Sequence, residues 1–133
     1  MTPVEHLRAV NAASAYNRAA GFELLMAADG KCELGVGAKP ELMNHAGVLH
    51  AGVIGAMIDT ACGFAAASIA GAVVASHYSV NCYRPGSGQR FVAKAEVVKP
   101  GKRQLFVTAR LFAVEEGKDD VLIAGGDVVL IVA

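Results

Sequence analysis

Apolar and polar residues follow three successive patterns along the 133-residue chain. The first opens on Thr2-Pro3-Val4-Glu5, which supplies a capping hydroxyl, a proline suited to the first helical position and the glutamate that completes a capping box. It predicts one N-terminal helix over residues 1–20, weakly amphipathic through Val4, Leu7, Val10 and Tyr16 and stopped by Gly21. Phe22–Ala27 and Cys32–Val36 then read as strands around Ala28-Asp29-Gly30-Lys31, because Asp-Gly favours a tight hairpin turn. Gly37–Met43 reads as a loop.

The second pattern is apolar on nearly all sides and predicts a long central helix over residues 48–71. Gly52, Gly55 and Gly63 cost it intrinsic propensity, roughly 1 kcal/mol each relative to Ala. A helix of that character is expected to be buried all round. From Val73 the period switches to two, which predicts strands over Val73–Tyr83, Gln89–Lys99, Arg103–Val114 and Val121–Val132. Phe91, Ala93, Ala95 and Val97 share one face, as do Leu105, Val107, Ala109 and Leu111. The short turns between these strands, Pro85-Gly86-Ser87-Gly88 among them, predict an antiparallel meander. One apolar helix followed by such strands predicts an α+β fold, an antiparallel sheet curled round the helix, in a single domain over residues 1–133.

Composition sharpens this. The chain is 54% hydrophobic and 18% charged, against a usual charged share of about 25%, so further apolar surface is expected to be hidden in an oligomer. A formal net charge of zero argues against a broad nucleic-acid or anionic-membrane surface. Cys32, Cys62 and Cys82 are odd in number and far apart, which fits reduced thiols in the cytoplasm rather than a disulfide framework or a metal pair. The N-terminus carries no apolar signal core, and no export is expected. Thr60–Ala75 is long and uncharged, but Gly and Ala dominate it, it lacks a basic flank and it adjoins Asp59, so no membrane span is expected.

Asp59 is the only formal charge between Glu41 and Arg84. A carboxylate inside so apolar a stretch loses hydration worth several kcal/mol unless something compensates it. On a helical wheel its neighbours are Gly52, Gly55, Ala56, Cys62, Gly63 and Ala66, with Val53, Met57, Ala61 and Phe64 opposite. Asp59 therefore stands on a stripe of small residues where another body can come close. The plainer alternative is a buried carboxylate satisfied by a cap or an ion pair. Upstream, Asn44 and His50 precede backbone N–H groups near Ala51 and Gly52 that suit a carbonyl oxygen or an anion. No Glu or His stands at metal spacing from His45 or His50, and no zinc is expected.

Asn44, followed by His50-Ala51-Gly52 and then Asp59, resembles the N-x5-HGG-x6-[DE] signature of hotdog-fold acyl-CoA thioesterases, in their phenylacetate-pathway (PaaI-like) branch. Asn81-Cys82-Tyr83-Arg84-Pro85 and Val97-Val98-Lys99-Pro100-Gly101-Lys102-Arg103 extend the resemblance from about Gly21 to the C-terminus. It implies that Asp59 is the nucleophile or the general base that activates water. It further implies that the Ala51 N–H, with Asn44 nearby, stabilises the oxyanion, and that His50 positions Asn44 or the carbonyl. Ser76 would orient water. Gly52, Tyr83, Arg84, Lys99, Gly101, Lys102 and Arg103 would contact the pantetheine and phosphates of coenzyme A, which enters as part of the acyl-CoA substrate with no metal or redox cofactor. One departure is that Ala51 replaces the first glycine of the motif; it keeps the N–H and adds a methyl group.

Ala51 and Asp59 are eight residues apart, roughly 12 Å along a helix axis. An oxyanion donor and an attacking group must both reach one carbonyl within about 3 Å. The two therefore belong to different sites in one chain, and the expected arrangement is a homodimer with a shared site; the resemblance implies a homodimer too, or a dimer of dimers. Two other readings stay open: hydration or dehydration of an enoyl thioester on the same scaffold, and non-catalytic acyl-CoA binding.

Overall fold

A computed structural model describes all 133 residues. Two short helices, α1 (Pro3–Ala13) and α2 (Ala15–Ala20), lead into the hairpin of β1 (Glu23–Ala28) and β2 (Lys31–Gly37). A 3-10 turn at Pro40–Leu42 precedes the central helix α3 (Ala51–Ala70), and four strands follow: β3 (Val73–Cys82), β4 (Arg90–Lys99), β5 (Gln104–Val114) and β6 (Val121–Val132). All neighbouring strands are antiparallel, in the order β1-β2-β4-β5-β6-β3.

The capping box at Thr2 and Glu5 forms as the sequence predicts. The single N-terminal helix does not: it breaks at Ser14, whose extended backbone ends α1 and whose hydroxyl accepts the Asn17 N–H to start α2. Ser and its short hydroxyl compete with the helical ladder in this way. Asp29 and Gly30 take positive φ angles of 54° and 78°, as the two-residue turn requires. The turn is held against α3 by the Ser68 hydroxyl, which accepts the Gly30 N–H at 2.9 Å.

The inner face of the sheet carries the alternation read from the sequence. Phe91, Ala93, Leu105, Val107 and Leu111 are buried against α3 in one continuous apolar core. α3 has the length and mean hydropathy (20 residues, 1.7) of a bilayer-crossing helix. Here it is the core helix of the sheet.

Two expectations are corrected. The meander holds only for β4, β5 and β6, because β3 lies at the far edge, paired with β6. Two strands separate β3 from β4, a span of about 14 Å that a hairpin turn does not bridge. The Pro85–Gly88 segment instead crosses that end of the molecule, and the Gly86 carbonyl accepts the Leu49 N–H at 2.9 Å. Nor is α3 buried all round. Gly52 is exposed and Ala56, Asp59, Thr60, Gly63 and Ala67 are only partly covered, whereas Gly55, Cys62 and Ala66 lie under the sheet. The open strip is therefore rotated from the expected stripe, with Asp59 on its border.

The two sheet edges differ. α1 fastens onto β1: Arg8 Nε donates to the Leu24 carbonyl at 3.0 Å and Asn11 Nδ2 to the Phe22 carbonyl at 2.9 Å. β3 has no such cover, and Val74 and Tyr78 are more than half exposed. A bare edge strand beside an apolar helix strip is a surface that folded chains normally protect.

Candidate active site

The N-terminus of α3 is built by a short loop that ties its own backbone. Asn44 Oδ1 accepts the N–H groups of Ala46 (2.9 Å) and Val48 (3.3 Å), and the Asn44 N–H donates to the Val48 carbonyl at 2.8 Å. Its side-chain amide N–H groups have no partner in the chain and remain free to donate. His50 is the N-cap of α3, with extended backbone, and its Nδ1 accepts the Gly52 N–H at 2.8 Å. In a neutral ring that bond leaves the proton on Nε2. The next amides, Val53 and Ile54, donate to the His50 carbonyl. Only the Ala51 N–H in this first turn is unpartnered. The expected pair of free amides at Ala51 and Gly52 is thus reduced to one, aimed out of the positive end of a 20-residue helix.

Asp59 lies two turns further along. The three ion pairs of the chain all lie elsewhere, and no hydrogen bond reaches its carboxylate. Burial alone pushes its pKa above the ordinary carboxylate value. The alternative of a carboxylate satisfied within its own chain is therefore not what the structure contains. Asp59 and Thr60 open onto a cleft of about 360 Å³ between α1 and the C-terminal half of α3.

The other residues singled out in the sequence fall into separate places. Ser76 occupies a bulge in β3, and its hydroxyl donates to the Val129 carbonyl at 3.4 Å. Tyr83 and Arg84 follow β3 at the end of the sheet near the start of α3, where both N–H groups donate to the Ile123 carbonyl. Lys99, Gly101, Lys102 and Arg103 form the β4–β5 turn at the opposite end, beside Val132. Ile123 and Val132 are nine positions apart along β6, about 30 Å of extended strand. One chain does not bring the two groups together. None of the four cations Arg84, Lys99, Lys102 and Arg103 forms an ion pair. Gly101 has a local role of its own, since a Cβ there would come within 2.5 Å of the Gln104 carbonyl oxygen.

Tyr78 was not singled out in the sequence. Its ring lies over Gly55, 3.5 Å from where a Cβ would stand, on the α3 side of β3 and between the levels of Ala51 and Asp59. Its place in the period-two pattern of β3 was the available signal. Buried Cys32 and Cys62 make poor nucleophiles: burial raises the thiol of Cys32 to about 12 and that of Cys62 further. No cluster of three His, Cys, Asp or Glu side chains is arranged to hold a metal ion.

The sequence model of the thioesterase superfamily matches residues 46–119, which include the His50 cap, the whole of α3 and the β4–β5 turn. The chain belongs to the thioesterase superfamily. A thioesterase family protein from Silicibacter pomeroyi is 31% identical over 98% of this chain and 97% of its own, with a TM-score of 0.92. The PaaI protein of the Escherichia coli phenylacetic acid degradation operon shares the fold at 20% identity, with 98% and 93% coverage and a TM-score of 0.86. A single-residue mutant of the Thermus thermophilus phenylacetic acid degradation protein PaaI is 25% identical, with 90% and 100% coverage and a TM-score of 0.78. No curated protein matches the chain. The protein is thus a member of the thioesterase superfamily with the hotdog fold, a helix packed in a six-stranded antiparallel sheet, and its structural neighbours include the two PaaI proteins.

Proposed function

We propose that this thioesterase-superfamily protein is an acyl-CoA thioesterase acting as a homodimer. One observation carries the reading: an unpartnered N–H at Ala51 and an unpartnered carboxylate at Asp59, both on α3 and roughly 12 Å apart along it. A twofold axis between antiparallel α3 helices brings Asp59 of one chain to the helix N-terminus of the other and forms two equivalent sites. The uncovered N-terminal part of the α3 strip, from Gly52 to Asp59, and the bare edge of β3 support that contact. The same axis brings the Lys99–Arg103 turn of one chain toward Tyr83 and Arg84 of the other, where unpaired cations suit the phosphates of coenzyme A.

In the proposed reaction the thioester carbonyl oxygen accepts the Ala51 N–H, and the free Asn44 amide assists. Asp59 of the second chain either takes a proton from the attacking water, or attacks the carbonyl carbon itself to give, as the thiolate leaves, a mixed anhydride that water then hydrolyses to the free acid and the regenerated carboxylate. The carbon–sulfur bond breaks, the thiolate leaves as coenzyme A and is protonated, and the acid is released. The step needs neither a metal nor a redox cofactor. The test is thiol release from a panel of acyl-CoA esters by the wild-type protein and Asp59→Asn, with solution mass measured alongside. The variant is expected to stay dimeric and to lose about 100-fold or more in rate. Undiminished turnover overturns the role of Asp59. Loss of enoyl absorbance without thiol release would indicate hydration instead, and saturable binding without turnover a binding protein.

A further inference from the structure

The cleft between α1 and α3 is wider than the chemistry at Asp59 needs. Its floor is the backbone of α3 at Gly63 and Ala67, its walls are Leu7 and Val10 of α1 and Phe64 of α3, and Gly71–Val73 close its far end. A Cβ at Gly63 would meet nothing within 4 Å, so the space over the floor is open. Its volume of about 360 Å³ lies within the usual range for small-molecule pockets, roughly 300–1,000 Å³. Polar side chains are confined to Asp59 and Thr60 at one end and His6 on the rim. From Asp59 to Ala67 is eight residues, roughly 12 Å of helix.

We propose that this cleft receives the acyl group, in the chain that supplies Asp59, and that Val10 on α1 sets the size of group accepted. The proposal rests on the thioesterase reading above. A carbonyl carbon within reach of Asp59 leaves its apolar tail one dry direction to run, along Gly63 and Ala67. The occupant is an uncharged medium-chain or aryl acyl group. α1 is a fixed wall, because Arg8 and Asn11 tie it to the carbonyls of Leu24 and Phe22. The two halves of the substrate are thereby divided: the oxyanion contact comes from one chain, and the acyl pocket comes with Asp59 from the other.

The experiment compares kcat/KM for acetyl-, octanoyl-, phenylacetyl- and palmitoyl-CoA in the wild-type protein, Val10→Trp and Val10→Ala. Val10→Trp is expected to lower the octanoyl-to-acetyl and phenylacetyl-to-acetyl ratios by about tenfold or more. Val10→Ala is expected to shift the preference toward longer acyl groups. Ratios that do not move in either variant overturn the proposal. Binding of octanoate and phenylacetate, followed by NMR at Leu7, Val10 and Phe64, separates the pocket from the reaction. If the wild-type protein releases no coenzyme A yet octanoate shifts these resonances and Val10→Trp abolishes the shifts, the thioesterase reading fails and the pocket stands. Absence of shifts in the wild-type protein overturns the pocket, whatever the turnover.

Discussion

The ring of His50 accepts the N–H of Gly52 at 2.8 Å, two residues along the chain. This is an N-cap made by a histidine, and it selects which amide of α3 stays free. His50→Ala removes the cap and leaves Gly52 competing with Ala51 for whatever anion or carbonyl arrives. The expected cost is about 1 kcal/mol, the usual loss on removing a capping side chain. It is read as a lower denaturant midpoint at unchanged slope. His50→Asn, whose side chain caps well, is expected to recover most of it. If His50→Ala matches the wild-type protein in stability, the hydrogen bond contributes nothing.

A shared site makes a quantitative demand on mixtures. Ala51 is the first residue of α3, and the backbone of His50 before it is extended (φ −61°, ψ 135°). Proline is accepted at such a position and after such a residue, so Ala51→Pro deletes the free N–H with little strain. Asp59→Asn and Ala51→Pro are each expected to be nearly inactive. After mixing and subunit exchange, half the dimers are mixed and each mixed dimer has one intact site, which returns about one quarter of wild-type activity. A mixture no more active than its components rules out a site composed of Ala51 from one chain and Asp59 from the other.

Asp59 also ties stability to pH. Burial raises its folded-state pKa above the ordinary 3.8. Below the ordinary value the carboxyl is protonated in folded and unfolded chains alike, and burial costs little. As pH rises through the raised folded value, the folded chain must hold an ionised, poorly solvated carboxylate, and that stability is lost. Asp59→Asn is therefore expected to melt a few degrees above the wild-type protein at neutral pH, with the difference closing in acid. The acid limb of kcat/KM should lie above the ordinary carboxylate range for the same reason. Melting curves across pH that keep a constant difference would refute the assignment.

What the sequence carries about this molecule is local. Asp29-Gly30 specifies a turn because two consecutive positive φ angles admit few residues, and Leu105, Val107, Ala109 and Leu111 specify a buried face because strands alternate. Which strand lies beside which is a long-range matter, and the Pro85–Gly88 segment reads equally as a hairpin turn or as a crossing. The wheel around Asp59 ranks residues by angle but not by which side the sheet covers. Gly55, Cys62 and Ala66 thus looked available and are buried, while Thr60 and Ala67 border the open strip. The motif residues were legible one at a time. The assignment of Gly52 to His50, which leaves Ala51 free, depends on side-chain geometry that no spacing encodes.

Gly125 and Gly126 on β6 are neighbours with opposite duties. A Cβ on Gly126 would collide with the backbone carbonyl oxygen of Ser79 and lie 3.1 Å from Ile58 Cγ2 of α3. Neither obstacle can swing aside: one is the backbone of the paired strand, the other a fully buried side chain. Gly126→Val is expected to cost about 1–3 kcal/mol through overpacking, measured by denaturant unfolding, and to lower activity only in proportion to the folded fraction. On Gly125 the obstacle is the hydroxyl of Tyr83, the end of an exposed and movable side chain. Gly125→Ala should therefore spare stability and displace Tyr83, so that a role for Tyr83 in holding coenzyme A appears as a raised KM for acyl-CoA. Equal losses of stability in the two variants would contradict the distinction between backbone and side-chain contact on which both expectations rest.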